Sequence, residues 1–566
     1  MESTTTIQIG DLPAELLCQV FGQFAEPHFP NLQTLDAWKR QPGSPWIESR
    51  NALQNLRLVC RRFHDAASPL LFTYLSICVE QSSVERASEI SSQPHLASCI
   101  RGVIIYAGLN SQELVDNILE FQRRMVLELL DCLRRMINGK GQVETREVEP
   151  HRYNLDVVTR NYHNITQAWN VHFWHYRRAR LGPSADENDG AGEPDATEET
   201  ETLDPDTLCY CEIMKFGHEE YKARTKEQHE YLETDAFLKD ITACLTRLPH
   251  LEEVEVDSRR SAPINLRDIL ENNNLGDLRR YVEYAHQGPW TAPDYYRDYH
   301  FARIMTILPL SLRDAGIRLR TLRLGMIPST FPRFVERPPG HTYQLADYES
   351  LMERLADASR TLESVAIRMD FDTDDYWAEF VDGYLRAVLS SKALLELDVD
   401  VPRPLSGTGV NAPGTSAYRV GQILSARSPE RLRRMCLSGL TMQAASIEKM
   451  MVSCPKTRLE GIYLWDGLWA DIVDAVKAAR SLDRRVDAPR IRLHGLMGGE
   501  MGDSLVYEEV AREKEVEYVS MGYGGREPIV LMMAEQYLSG EGGVQRNPFR
   551  EHKHNELYFR GRRPKH

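Results

Sequence analysis

The feature that most limits what this chain can fold into is a hexamer that keeps returning: apolar, two others, apolar, one other, apolar. It occurs as Leu251-Glu-Glu-Val254-Glu-Val256, Leu319-Arg-Thr-Leu322-Arg-Leu324, Leu362-Glu-Ser-Val365-Ala-Ile367, Leu394-Leu-Glu-Leu397-Asp-Val399, Leu432-Arg-Arg-Met435-Cys-Leu437 and Leu459-Glu-Gly-Ile462-Tyr-Leu464. An earlier run, Val103-Ile104-Ile105, reads as the first strand of the series. Each hexamer ends in the two-residue alternation of a strand with one buried face. Between the hexamers, stretches such as 348–358, 377–389 and 446–452 carry the spacing of amphipathic helices. Strand and helix in alternation, with right-handed crossovers, leave an open α/β sheet or a repeat solenoid, and the two-residue gap favours the solenoid. The distance between successive first positions falls from 68 residues (251 to 319) to 27 (432 to 459), so the array is irregular and carries insertions.

Ahead of this α/β array, residues 7–75 read as a separate helical unit. In Asp11-Leu12-Pro13-Ala14-Glu15-Leu16-Leu17-Cys18-Gln19-Val20-Phe21, proline in a first turn loses no intrahelical hydrogen bond, and the aspartate beside it can accept from unpaired amides. Leu16, Leu17, Val20, Phe21 and Phe24 then share one face. The run Leu53-Gln-Asn-Leu56-Arg-Leu-Val59-Cys60-Arg-Arg-Phe63 repeats the device, and Pro69-Leu70-Leu71-Phe72 is expected to end that helix. Two short amphipathic helices cannot build a core alone, so the unit must lean on the rest of the chain or on a partner.

These residues carry a resemblance. Leu-Pro-x-Glu-Leu-Leu, the apolar pair Val20 and Phe21, then Leu-Arg-Leu-Val-Cys-Arg-Arg-Phe and Ala-x-Pro-Leu-Leu-Phe, in that order, closely resemble the F-box in its fungal form. The resemblance implies a helical module that docks on a Skp-family adaptor, and through it on a cullin, while the remainder of the chain captures a protein substrate. The docking face it implies comprises Leu12, Pro13, Leu16, Leu17, Val20, Phe21, Leu56, Val59, Cys60 and Phe63. The connection between Phe24 and Asn51 is longer than the tight turn usual in F-boxes. The hexamers resemble the divergent leucine-rich repeats that often follow an F-box, without the asparagine ladder of regular members.

The α/β region is expected over 90–535. Its largest insertion, 108–247, contains one long amphipathic helix over 111–137 and an acidic tract over 184–206 with ten acidic and no basic residues, too polar to order itself. The end, 540–566, is Gly-rich and then basic and reads as a loosely held tail.

With 68 basic against 83 acidic residues, the net charge of −15 argues against nucleic acid or an anionic membrane face as partner. No apolar run reaches the ~18 residues of a membrane span, and the ten scattered cysteines fit buried thiols of a reducing compartment, so a soluble protein of cytoplasm or nucleus is expected. Candidate chemistry is sparse. His172, His175, Cys209 and Cys211 offer zinc-type ligands, but one residue between two cysteines makes a poor chelate. Asp370-Phe-Asp372-Thr-Asp374-Asp375 lacks the glycine and glutamate of a calcium loop and reads as a capped turn. Gly495 to Gly502 lacks the Gly-Lys-Ser/Thr of a phosphate cradle. No cofactor, metal or catalytic residue is expected. If the strands stack as a solenoid, Glu255, Asp257, Asp398 and Asp400 line its open face. Tyr463, Trp465, Arg492 and His494 bring to the last units the residue mix of a binding hot spot. Three readings stand: a substrate-recruiting subunit, a stand-alone interaction scaffold that does not bind the adaptor, and an enzyme whose nucleophile would be Asp370 or Asp372.

Overall fold

In a computed structural model, the described residues are 9, 12–22, 45–139, 154–181, 205–257, 266–283, 295–327, 348–369, 378–401, 423, 431–481, 490–494, 496–499, 529–540 and 544–551. Among them, a parallel sheet of nine strands takes its places in the order in which the chain makes them. The strands are β1 (Tyr74–Cys78), β2 (Gly102–Tyr106), β3 (Glu253–Asp257), β4 (Thr321–Ile327), β5 (Ser364–Met369), β6 (Glu396–Asp400), β7 (Arg434–Ser438), β9 (Lys456–Glu460) and β11 (Arg490–His494). A second sheet sets β10 (Tyr463–Asp466) between β8 (Thr441–Gln443) and β12 (Met497–Gly498).

The hexamer explains the register. Its last two apolar positions fall in neighbouring rows, Val103, Val254, Leu322, Val365, Leu397 and Met435 in one, Ile105, Val256, Leu324, Ile367, Val399 and Leu437 in the next. Both rows are buried under the connecting helices, among them Tyr295–Asp314, Tyr348–Ala358 and Ala378–Val388. Its first position, Leu251, Leu319, Leu362, Leu394 or Leu432, lies just before the strand and is buried as well. There the backbone ladder has already begun: the amide of Arg320 donates to Glu252 O (2.8 Å), that of Glu363 to Arg320 O (2.7 Å) and that of Leu395 to Glu363 O (2.7 Å).

The last hexamer departs from the expected strand. Leu459 lies within β9, while Ile462 and Leu464 belong to the turn and strand that enter the second sheet. Gly461, at φ +62°, turns the corner, as Gly439 does at φ +68° after β7. Leu437-x-Gly-Leu440-x-Met442 and Leu459-x-Gly-Ile462-x-Leu464 therefore keep the hexamer's spacing while straddling a bend.

The insertion between β2 and β3 is helical: Gln112–Asp116, Ile118–Gly139, Leu155–Leu181 and Pro205–Glu233. The single helix expected over 111–137 is two, because the Asn117 side chain accepts the amide of Glu120 (3.1 Å) and so starts a new helix. These helices share a second core with Leu266–Asn272 and Leu275–Glu283, which follow β3. Trp169 donates to Tyr210 O (3.1 Å) and Tyr281 to Met125 O (2.8 Å), so two of its largest buried rings keep their polar ends paired. The acidic tract, up to residue 204, lies outside the described residues.

At the far end, the Ile529–Ser539 helix closes the open side of β11, with the Leu493 amide donating to Glu535 Oε1 (2.6 Å). The first part of the expected loose tail is held down. Phe549 is buried, Asn547 donates to Ala470 O (2.8 Å), and Arg550 bonds Asp474 (2.5 Å) and Asp471 (2.6 Å). An apolar anchor with flanking polar partners offsets the ordering entropy that its glycine-rich approach would carry. Among the described residues, no helix is long and apolar enough to cross a membrane.

Candidate functional site

Two surfaces carry the residues that the sequence singles out. The first is the N-terminal module. Pro13 opens the Ala14–Gly22 helix, its carbonyl accepting from the amides of Leu16 (3.1 Å) and Leu17 (3.0 Å). The run from Leu53 to Phe63 is not one helix. Pro45–Leu56 ends in a turn over 57–59, Cys60 is extended, and Arg61–Leu71 starts afresh. Pro69 lies inside that second helix rather than ending it, and Asp65, whose carbonyl would have met the missing amide, is exposed.

The turn directs Phe63 onto Phe21, ring centroids 5.1 Å apart at 74°, and Leu17, Phe21, Leu53, Phe63, Ala66 and Ala67 close into a core of their own. Arg62 ties the entry of the first helix by donating to Leu12 O (2.6 Å). The ten expected docking residues therefore divide. Leu17, Phe21 and Phe63 are internal and shape the module; Leu12 and Leu56 are half-buried; Pro13, Leu16, Val20, Val59 and Cys60 lie outside. Leu16 is 43% exposed, Val20 38% and Val59 63%, and Leu58, which is not among those ten, 84%. Burying a leucine or valine fully is worth about 1.5–3 kcal/mol, so four such side chains left in water mark a surface with adhesive capacity.

The second surface is the face of the nine-stranded sheet turned away from the core rows. One row across it reads Glu255, Arg323, Ala366, Asp398, Cys436, Arg458 and Arg492. Charges pair along and across strands, Arg368 with Asp400 (3.8 Å) and Arg458 with Glu460 (2.8 Å). Glu255 and Asp257, expected to face solvent, are buried. Burial, with Asp400 beside it, pushes the Asp398 carboxyl up to about 6. Burial, then Asp398, pushes the Cys436 thiol up to about 12, which keeps it protonated and a poor nucleophile.

The four residues expected as one hot spot are split between sheets. Tyr463 and Trp465 sit on β10, whose neighbours are β8 and β12; Arg492 and His494 sit on β11, beside Arg458 and Glu460 of β9. Arg492 and Trp465 are exposed, Tyr463 and His494 half-buried. Cys211 is buried and bonds Ala168 O (3.2 Å), while the side chains of His172 and His175 and the whole of 370–375 lie outside the described residues. Among the described residues, no three His, Cys, Asp or Glu side chains come together as metal ligands.

No protein-family model matches the chain, and no curated protein matches it.

Proposed function

We propose that this protein is the substrate-recognition subunit of an SCF-type cullin ubiquitin ligase. Its N-terminal module holds a Skp-family adaptor, and the α/β region, an irregular leucine-rich-repeat-like solenoid, holds a protein target. The observation that carries the reading is the division within the module: Leu17, Phe21 and Phe63 close a core, and Leu16, Val20, Leu58 and Val59 are left outside it. A pair of ordinary core helices would have turned these side chains inward. The strand order supports a solenoid, since a doubly wound sheet reverses its order part-way and this one does not. The ten free thiols suit a reducing compartment, cytoplasm or nucleus. Such a subunit accelerates ubiquitin transfer by proximity, so it needs no catalytic side chain.

Affinity capture of the full chain from cells tests this. Adaptor and cullin should co-purify with the wild type and be lost with Leu16→Asp plus Val59→Asp. Capture of neither by the wild type would leave a stand-alone scaffold.

A further inference from the structure

The Ile118–Gly139 helix buries one face, with Phe121, Met125, Leu129, Cys132, Leu133 and Met136 in the second core. Beside that face runs a second apolar stripe. Leu119, Val126, Leu130 and Ile137 recur at i, i+7, i+11 and i+18, within about 20° of one line at 3.6 residues per turn, over about 27 Å of helix. Leu119 (37%) and Ile137 (43%) are exposed, as is the flanking Leu127 (46%), while Leu130 is half-buried and Val126, half-buried too, packs its inner side against the second core.

We infer that this stripe is the seam of an antiparallel homodimer, each copy laying its Ile118–Gly139 helix against the other's. The spacing is self-complementary when one helix is turned end for end. Leu119 then meets the partner's Ile137, Val126 meets the partner's Leu130, and Leu127 meets the partner's Leu127 near the two-fold axis. The flanking charges choose the same direction. Glu120 falls opposite the partner's Arg134 at both ends of the seam, whereas parallel pairing would stack Arg123 on the partner's Arg123. Glu120 already pairs with Arg123 (3.2 Å) and Arg124 (3.6 Å) on its own helix and Arg134 with Asp131 (3.5 Å), so both reach the partner as members of small charge networks. Nothing in this inference depends on adaptor binding.

Sedimentation velocity of the full chain, over about a hundredfold range of concentration, tests it. The mass should rise from 64.9 kDa toward twice that. Leu127→Glu, at an exposed position with far-UV circular dichroism as the folding control, should raise the dissociation constant about tenfold or more. Glu120→Arg or Arg134→Glu alone should weaken the dimer, and the two together should restore it. The inference is overturned if the wild type stays at 64.9 kDa throughout, as it would with another segment of this chain over the seam. It is equally overturned by a dimer indifferent to Leu127→Glu, or by a double reversal no stronger than either single one.

Discussion

Phe21 and Phe63 meet edge to face, 5.1 Å apart, although they stand 42 positions apart in the chain (21 to 63). The contact joins the Ala14–Gly22 helix to the Arg61–Leu71 helix and lets the module close its core while Leu16 and Val59 stay outside. Phe21→Ala should cost about 3–5 kcal/mol of module stability through the cavity it leaves. Limited proteolysis should then cut within 12–71 at lower denaturant, whereas Leu16→Asp should leave the cutting pattern unchanged.

Gly439 sits at φ +68°, where an added Cβ would lie 1.8 Å from the carbonyl oxygen of Val401. Gly439→Ala should cost at least about 1–2 kcal/mol from the left-handed backbone alone, with the clash added. A drop in the thermal midpoint of the full chain checks this. Gly316→Ala, also at positive φ but with open space around the new methyl, should cost less.

The Asp398 carboxyl, raised by burial and by Asp400 to about 6, makes stability fall as pH rises from about 4 to about 6. In that window the folded chain keeps a proton that the unfolded chain has released. Above it the cost is constant, on the order of 3 kcal/mol. Asp398→Asn should therefore raise the midpoint of chemical denaturation at pH 7.5 and change it little at pH 4.

Asp474 accepts from Tyr537 (3.0 Å), Asn547 (2.8 Å) and Arg550 (2.5 Å). Burial alone would raise its carboxyl, but the bonds from Arg550, Asn547 and Tyr537 outweigh that and hold it below its ordinary value. Its contribution is thus present above the unfolded-state value of about 3.9 and is lost as pH falls through the depressed folded one. Hydrogen exchange of residues 544–551 should speed up in that acidic range, and at neutral pH in Asp474→Ala.

The strands that open β3 to β7 were readable because each hexamer puts a buried leucine just ahead of an alternating pair. β1 fits the same spacing as Phe72-Thr-Tyr-Leu75-Ser-Ile77, but Phe72 also completes the Pro69-Leu70-Leu71-Phe72 run at the end of the N-terminal module, which hid the strand. The Leu459 hexamer misled because a glycine corner preserves the spacing while changing the sheet. At the candidate site the residue types were readable and their roles were not. No glycine or proline marks the break over 57–60; it follows from bringing Phe63 onto Phe21, which is a tertiary demand. The same holds for residues 544–551, whose anchor at Asp474 lies on a helix far back in the chain.

The most direct measurement is a titration of a purified Skp-family adaptor into the full chain. The account predicts saturable one-to-one binding by the wild type, abolished in Leu16→Asp plus Val59→Asp with the unfolding midpoint kept. A wild type that shows no saturable binding, or a double variant that binds as well as the wild type, would contradict it.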